Sequence, residues 1–235
     1  MTNNDPMTTG STRQPIAVFD LDGTCVNGQS GTLISLWLLR HGYLSARASF
    51  GLMWWGIRYK LHLPYRQERS RELIFSCLGK YSPEEIDQIM VEFHNEVMVP
   101  RYRRGAVEQI GRLKEMGCDI VIISATFEAI AREAAKFLGV DGFVATKMET
   151  DERGRYTSRV MGDVIEGAAK VEAVCAWANR RYGDEGWSLE YAYGDHYSDA
   201  ELLQLANHPV AVSPGINLKR TARRYGWPIV HWKVG

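Results

Sequence analysis

Short apolar runs that end in polar residues recur along this chain. The first is residues 15–19 (PIAVF), which is followed at once by Asp20. Similar runs predict further buried strands at 119–123, 189–193, 209–212 and 228–231. Segments with helical periodicity separate them at 106–116, 128–138, 169–182 and 198–206. This alternation predicts an α/β fold, with a Rossmann-like parallel sheet covered by helices on both faces.

One interval, residues 31–98, breaks this alternation because it contains no strand-like run. Its pattern predicts four helices instead, at 32–41, 46–61, 65–78 and 83–97. Ser82 before Pro83 and two glutamates is a typical helix start. We therefore predict a core of residues 15–30 and 99–235, with a helical domain of residues 31–98 inserted after the first strand. The polar residues 1–14 predict a disordered leader.

A smaller feature lies at residues 143–162. Alternating residues on both sides of Glu152-Arg153-Gly154 predict a β-hairpin there.

Charge and composition limit the classes of function. The chain has 28 basic and 28 acidic residues and a pI of about 7.0, so nucleic acid is not expected as a partner. Its four cysteines have no metal-ligand spacing, and nothing suggests a disulfide framework, which fits a cytoplasmic protein. Charged residues interrupt the apolar stretch at 31–63, so we expect helices there rather than membrane spans.

Candidate chemistry follows the predicted strands. In open parallel sheets, ligands bind beyond the carboxyl ends of the strands. Three predicted strands lead into Asp20, Ser124 and Asp195, and Lys170 opens the helix after Gly167. Because the carboxyl ends of parallel strands share one edge, we expect these residues to meet there.

This set suits phosphoryl transfer through a covalent intermediate. A carboxylate can attack phosphorus, and a second carboxylic acid can protonate the leaving alkoxide and then deprotonate a water. Asp20 and Asp22 could point the same way, because side chains alternate along an extended chain. Gly23 would let the backbone turn and bring its N–H groups near phosphate oxygens.

The remaining candidates supply charge and metal ligands. Ser124 and Lys170 could hold phosphate oxygens, with Lys170 placed where negative charge builds up. Asp195 and Asp199 are hard oxygen ligands of the kind that suit Mg²⁺.

These residues together resemble the motifs of one family. The chain resembles the haloacid dehalogenase (HAD) superfamily, subfamily IB, the phosphoserine-phosphatase-like group. The matching segments are Asp20-Leu21-Asp22-Gly23-Thr24, Ser124-Ala125-Thr126, Lys170, and Gly194-Asp195-His196-Tyr197-Ser198-Asp199.

The resemblance implies a role for each motif residue. Asp20 would be the nucleophile and a Mg²⁺ ligand, and Asp22 the general acid/base, with its backbone carbonyl offered to the metal. Asp195 would be a direct metal ligand. Asp199 would be either a second ligand or a carboxylate next to the metal ligands. The phosphate-binding set that we predict, with its supporting loop, is Gly23, Thr24, Ser124, Ala125 and Lys170. The helical insert would be a cap over the site, and Asp22 favours a phosphatase or phosphomutase over a dehalogenase.

The substrate is less constrained. Family members that cleave phosphoserine carry a glutamate nine residues after the nucleophile, where this chain has Gln29. Gln29 is either a substrate contact or an exposed loop residue. The Leu- and Trp-rich helices predicted at 32–41 and 46–61 are either the core of the cap or an apolar lining for an amphiphilic phosphate ester.

Our leading hypothesis is a Mg²⁺-dependent phosphomonoesterase acting on a small organic or amphiphilic phosphate ester. The alternatives are a phosphoserine phosphatase, a phosphomutase on the same fold, and a catalytically silent, membrane-associated binding protein. Peripheral membrane contact is open but not expected, and the oligomeric state is open between monomer and homodimer.

Overall fold

The computed structural model of the chain describes residues 13–44, 50–51, 54 and 74–235. Most of the leader therefore lies outside the described residues. So do most of the helix predicted at 46–61 and the first part of the helix predicted at 65–78. Residues 74–78 are helical, as predicted for the end of that segment.

The centre of the fold is a seven-stranded sheet in the order β4-β3-β2-β1-β5-β6-β7. Every neighbouring pair is parallel except β3 and β4. The α/β fold and its parallel sheet are thus confirmed. The strands are β1 (Gln14–Asp20), β2 (Asp119–Phe127), β3 (Gly142–Thr150), β4 (Tyr156–Met161), β5 (Trp187–Gly194), β6 (His208–Val212) and β7 (Ile229–Val230).

Helices cover this sheet, and most of them lie close to their predicted positions, but the helix at Ile216–Tyr225 was not predicted. The α-helices with defined bounds in the described residues are α1 (Ser30–Arg40), α2 (Pro83–Phe93), α3 (Arg104–Glu115), α4 (Glu128–Leu138), α5 (Ala168–Tyr182), α6 (Ala200–Leu205) and α7 (Ile216–Tyr225).

Two predicted helices change type along their length. Residues 83–97 form α2 and then a π-helical turn, His94–Met98, followed by a 3₁₀ turn, Val99–Arg101. Pro100 lacks the N–H that a continuing α-helix would need, which is a physical reason for the change. Residues 198–206 likewise divide into a 3₁₀ turn, Tyr197–Asp199, and α6.

The start of α2 is capped as predicted. The Ser82 hydroxyl accepts the backbone N–H of Glu85 at 3.2 Å, and the Glu85 carboxylate accepts the N–H of Ser82 at 2.8 Å. This reciprocal pair satisfies two of the N–H groups that a helix start leaves without a partner.

The hairpin prediction is confirmed but incomplete. β3 and β4 pair antiparallel, with Lys147 opposite Met161. The first half of β3 also pairs parallel with β2, with Ile122 opposite Phe143. β3 therefore belongs to the central sheet, which the sequence pattern did not predict. β1 also differs from its prediction, because it includes Gln14 from the predicted leader.

The sheet is buried on both faces, which explains the continuous apolar runs. Along β1, Ala17 and Phe19 join one hydrophobic cluster, whereas Ile16 and Val18 join the other. All four side chains are fully buried. Such strands show no polar face in their sequence.

Helix α1 belongs to the first of these clusters through Ile34, Trp37 and Leu38, while Leu36 and Leu39 remain about half exposed at 49% and 47%.

Among the described residues, no helix has both the length and the apolar content needed to cross a membrane. The division into core and insert stays a prediction.

Two short segments pair where the predicted insert leaves the core and returns to it. Val26 and Tyr102 form an antiparallel bridge. The N–H of Arg103 donates to the carbonyl of Cys25 at 2.8 Å. We call residues 25–27 and 101–103 the stalk.

Candidate active site

The predicted motif residues meet at the carboxyl edge of the central strands. Asp20 is the last residue of β1, and Asp195 directly follows β5. Ser124 lies in β2, one position beyond the residue opposite Asp20. Since β2, β1 and β5 are neighbours, segments separated by more than 100 residues in sequence come together here.

Lys170 connects two of the acidic residues. It lies in the first turn of α5, and only 3% of its surface is exposed. Its Nζ lies 2.6 Å from Asp20 Oδ1 and 2.6 Å from Asp199 Oδ1. Burial alone would lower the pKa of Lys170, but the two carboxylates outweigh it and raise the pKa above its usual value. Lys170 therefore remains an ammonium group.

Three carboxylates surround this lysine. Asp20, Asp195 and Asp199 each offer an oxygen, and these oxygens lie within 4.8 Å of one another. Burial raises the pKa of Asp20 well above its usual value, and Lys170 opposes that shift. Burial, followed by the charge of Asp199, raises the pKa of Asp195 to about 7. The three clustered carboxyl groups form a hard-oxygen donor set that fits a divalent cation such as Mg²⁺.

Asp22 has a different environment from Asp20. Its carboxylate accepts the backbone N–H of Ser30 at 3.0 Å and the Ser30 hydroxyl at 2.7 Å. Burial raises the pKa of Asp22 to about 6, and the hydrogen bonds from Ser30 oppose the rise. The expectation based on strand alternation does not apply, because β1 ends at Asp20 and Asp22 lies in the turn that follows.

Gly23 is required at its position for steric reasons. Its φ is 79°, and a Cβ built there would lie 2.1 Å from Asp195 Oδ2. No other residue would let the loop approach Asp195 so closely. Its own N–H donates to the carbonyl of Val26 at 2.9 Å. The role of Gly23 in phosphate binding stays a prediction. Thr24 is buried, and its hydroxyl lies 3.4 Å from Asp195 Oδ1.

The second motif lies within β2 rather than after it, because that strand continues to Phe127. Ser124 is buried, and its hydroxyl accepts the N–H of Thr126 at 3.1 Å. The carbonyl of Ala125 accepts the hydroxyl of Thr146 at 3.0 Å. The pairing of β2 with β3 shifts register between Ser124 and Phe127, which locally changes the direction of the strand.

Gln29 is the residue before α1, and it is exposed. Its side chain forms no hydrogen bond that caps the helix. It neighbours Ser30, which binds Asp22, and its role as a substrate contact stays a prediction.

Two residues to which we assigned no role belong to the site. Ser30 contacts Asp22, and Thr126 contacts Ser30, with 2.5 Å between the two hydroxyl oxygens. A signal for Ser30 was present, since it opens a helix directly after the loop that carries Asp22.

Comparison with known proteins identifies the family. A model of the haloacid dehalogenase-like hydrolases matches residues 17–204, and the chain belongs to that family. It is 26% identical over 224 residues to a histidinol-phosphatase of Neisseria meningitidis, covering 93% of this chain and 99% of that protein. It is 28% identical over 239 residues to a phosphoserine phosphatase of Mycobacterium tuberculosis, covering 96% of this chain and 75% of that one.

A solved structure shows the same architecture. The chain matches a protein of unknown function from Bordetella pertussis with a TM-score of 0.82 and 27% identity, over 93% of this chain and 99% of that one. The predicted family, the fold and the enzyme class, a phosphoric monoester hydrolase, are confirmed.

Proposed function

We propose that this chain is a Mg²⁺-dependent phosphomonoesterase that forms an aspartyl phosphate on Asp20 and uses Asp22 as its general acid/base. The observation that carries the proposal is that two carboxylates close in sequence have different environments. Asp20 is paired with an ammonium group, and Asp22 is bound by a serine. Two carboxylates in different surroundings can take different roles in one reaction.

In the first step, a carboxylate oxygen of Asp20 attacks phosphorus. The new O–P bond forms as the ester P–O bond breaks, and Asp22 gives its proton to the leaving alkoxide. The ammonium of Lys170 holds the Asp20 carboxylate in place and offsets charge that develops on the phosphoryl oxygens. The Ser124 hydroxyl is the proposed partner for one of those oxygens.

In the second step, Asp22 acts as a base. It takes a proton from a water as that water attacks the phosphorus of the aspartyl phosphate. The bond between phosphorus and the Asp20 oxygen breaks, which regenerates the Asp20 carboxylate and releases inorganic phosphate. The pKa of about 6 at Asp22 suits a group that must both give and accept a proton near neutral pH.

Asp20, Asp195 and Asp199 are the side chains that would hold Mg²⁺, and the backbone carbonyl of Asp22 is the further ligand we propose. When bound, the ion would neutralise charge on the phosphate and the attacking carboxylate. In this proposal, residues 31–98 form a cap that limits which esters reach Asp20.

The metal proposal predicts a linked effect on activity and stability. Asp22 and Asp195 have folded pKa values of about 6 and 7, above the ordinary value of 3.8. Folding therefore takes up protons near neutral pH, and metal-free protein should lose stability as the pH rises from about 5 to about 8.

Excess chelator should stop hydrolysis, and Mg²⁺ should restore it. Mg²⁺ should also raise Tm more at about pH 8 than at about pH 5. Full activity in excess chelator would contradict the proposal.

For the substrate we propose a small organic or amphiphilic phosphate ester. Two relatives are named for histidinol phosphate and phosphoserine, and both of these esters carry an ammonium group on the carbon next to the ester carbon. Gln29, at the edge of α1, cannot pair with that ammonium by charge. A buried ammonium group without a partner is costly.

We therefore expect phosphoserine to be a poor substrate compared with an uncharged alkyl phosphate. Gln29→Glu should raise kcat/KM for phosphoserine about 10-fold and leave the uncharged ester nearly unchanged. Steady-state kinetics on phosphoserine, histidinol phosphate and lysophosphatidate measures this. A high kcat/KM for phosphoserine in the wild type would contradict the prediction. Rapid turnover of histidinol phosphate would show that its ammonium binds elsewhere.

The alternatives are separated by the same assays. A phosphomutase would transfer the phosphoryl group without releasing inorganic phosphate. A silent binding protein would hydrolyse none of the esters, with or without Mg²⁺.

A further inference from the structure

Ser30 binds both oxygens of the Asp22 carboxylate. Its backbone N–H donates to Oδ1 at 3.0 Å, and its hydroxyl donates to Oδ2 at 2.7 Å. Ser30 is fully buried and opens α1, so its own position is fixed by the helix. Two donors on two oxygens define the plane of the carboxylate, which a single hydrogen bond would not do.

A second hydroxyl orients the first. The oxygens of Ser30 and Thr126 lie 2.5 Å apart, and either could donate by geometry alone. A serine hydroxyl has one hydrogen, so when that hydrogen points to Asp22 the Thr126 hydroxyl must donate to Ser30. The result is a relay of hydrogen bonds from Thr126 to Ser30 to Asp22, which ties the second motif to the first.

This arrangement matters because the strand does not hold Asp22. β1 ends at Asp20, whose own carboxylate is fixed by Lys170. Asp22 lies two residues later in a turn. A general acid must sit within hydrogen-bond reach of the leaving oxygen, and a small rotation of its carboxyl group removes that reach.

We infer that Ser30, supported by Thr126, is a positioning residue that orients Asp22 for proton transfer to the leaving group. The inference rests on the proposed function, in which Asp22 is the general acid. Each Asp22 oxygen has a second lone pair, so the proton that is transferred can reside on Asp22 while both Ser30 bonds persist.

The test uses two esters of similar size whose leaving groups differ in their need for a proton. 4-Nitrophenolate leaves as a stable anion, whereas the alkoxide of benzyl phosphate needs protonation. Ser30→Ala should lower kcat/KM for benzyl phosphate about 30-fold and for 4-nitrophenyl phosphate less than about 3-fold. Ser30→Thr, which keeps the hydroxyl, should recover most of the loss. The matched control is Ser35→Ala, because the Ser35 hydroxyl bonds within α1 to the carbonyl of Gly31.

A double-mutant cycle separates positioning from general packing. Asp22→Asn should show the same selective loss on benzyl phosphate, and adding Ser30→Ala to it should cost little more. Thr126→Val should give a weaker loss with the same selectivity, which also covers the case that Ser30→Ala is unstable. Equal losses on both esters, or losses that add fully in the double variant, would overturn the inference.

Failure of the proposed function would look different. Wild-type protein would then hydrolyse neither ester, or would remain active after Asp20→Asn, and the inference about Ser30 would fall with it. If the wild type is active through Asp20 but Ser30→Ala changes nothing, only the inference fails.

Discussion

Asp20→Asn should lower kcat by at least about 10³-fold, because an amide cannot attack phosphorus and form the aspartyl phosphate. The fold should persist. The substitution preserves shape and removes the repulsion that Asp20 shares with Asp195 and Asp199, although it also removes one partner of Lys170. Steady-state kinetics and thermal unfolding measure the two expectations separately.

A phosphoenzyme trap makes this prediction specific. Rapid acid quench of the wild type with labelled substrate should yield a phosphorylated peptide that contains Asp20 and is cleaved by hydroxylamine. Asp184→Asn is the matched control, because Asp184 is an exposed aspartate in the turn before β5, at the opposite edge of the sheet. Label on any other residue would contradict the assignment of Asp20.

Lys170→Met should remove activity and stability together. The methionine keeps much of the length of the side chain but leaves the carboxylates of Asp20 and Asp199 without their shared ammonium. Breaking a buried ion pair in this way costs about 3 kcal/mol or more in the free energy of unfolding. We also expect kcat to fall about 100-fold or more, because the charge that offsets the phosphoryl oxygens is lost.

The pH dependence distinguishes this effect from a loss of packing. The Asp20 carboxyl of the variant would be protonated more readily, so the difference in Tm from wild type should shrink as the pH falls from about 8 to about 5. The measurement is thermal unfolding in chelator at both pH values. Lys136→Met is the control, since Lys136 is exposed and forms an ion pair with Glu133 on α4. A difference in Tm that does not change with pH would contradict the electrostatic account.

The strands were predictable because burial on both faces leaves an unambiguous sequence pattern. Residues 15–19 of β1 and 120–123 of β2 are continuous apolar runs, and each run packs against two hydrophobic clusters. The role of β3 was not predictable in the same way. That strand pairs with β2 through its first residues and with β4 through its last, so its alternation indicated the hairpin and concealed the parallel pairing.

The residues of the site also differ in how well the sequence predicts them. Asp20, Lys170, Asp195 and Asp199 were predictable as a set, because parallel topology brings the ends of strands to one edge. The pairing of Asp22 with Ser30 depends on the conformation of the turn after β1. The periodicity of the sequence does not predict that conformation. Thr126 was visible in the second motif, but its contact with Ser30 spans 96 residues of sequence.

The stalk has a consequence for how such chains can diversify. Because Val26 and Tyr102 are bridged, the chain leaves the predicted core and returns to it at neighbouring points. The entropy of closing a loop grows only logarithmically with its length, so a change in the length of the predicted insert should cost the fold little loop entropy. The carboxylates that break and form bonds lie on the core side of the stalk. If residues 31–98 are the cap that we propose, the part beyond α1 could be exchanged to change which esters are admitted, while α1 keeps Ser30 against Asp22.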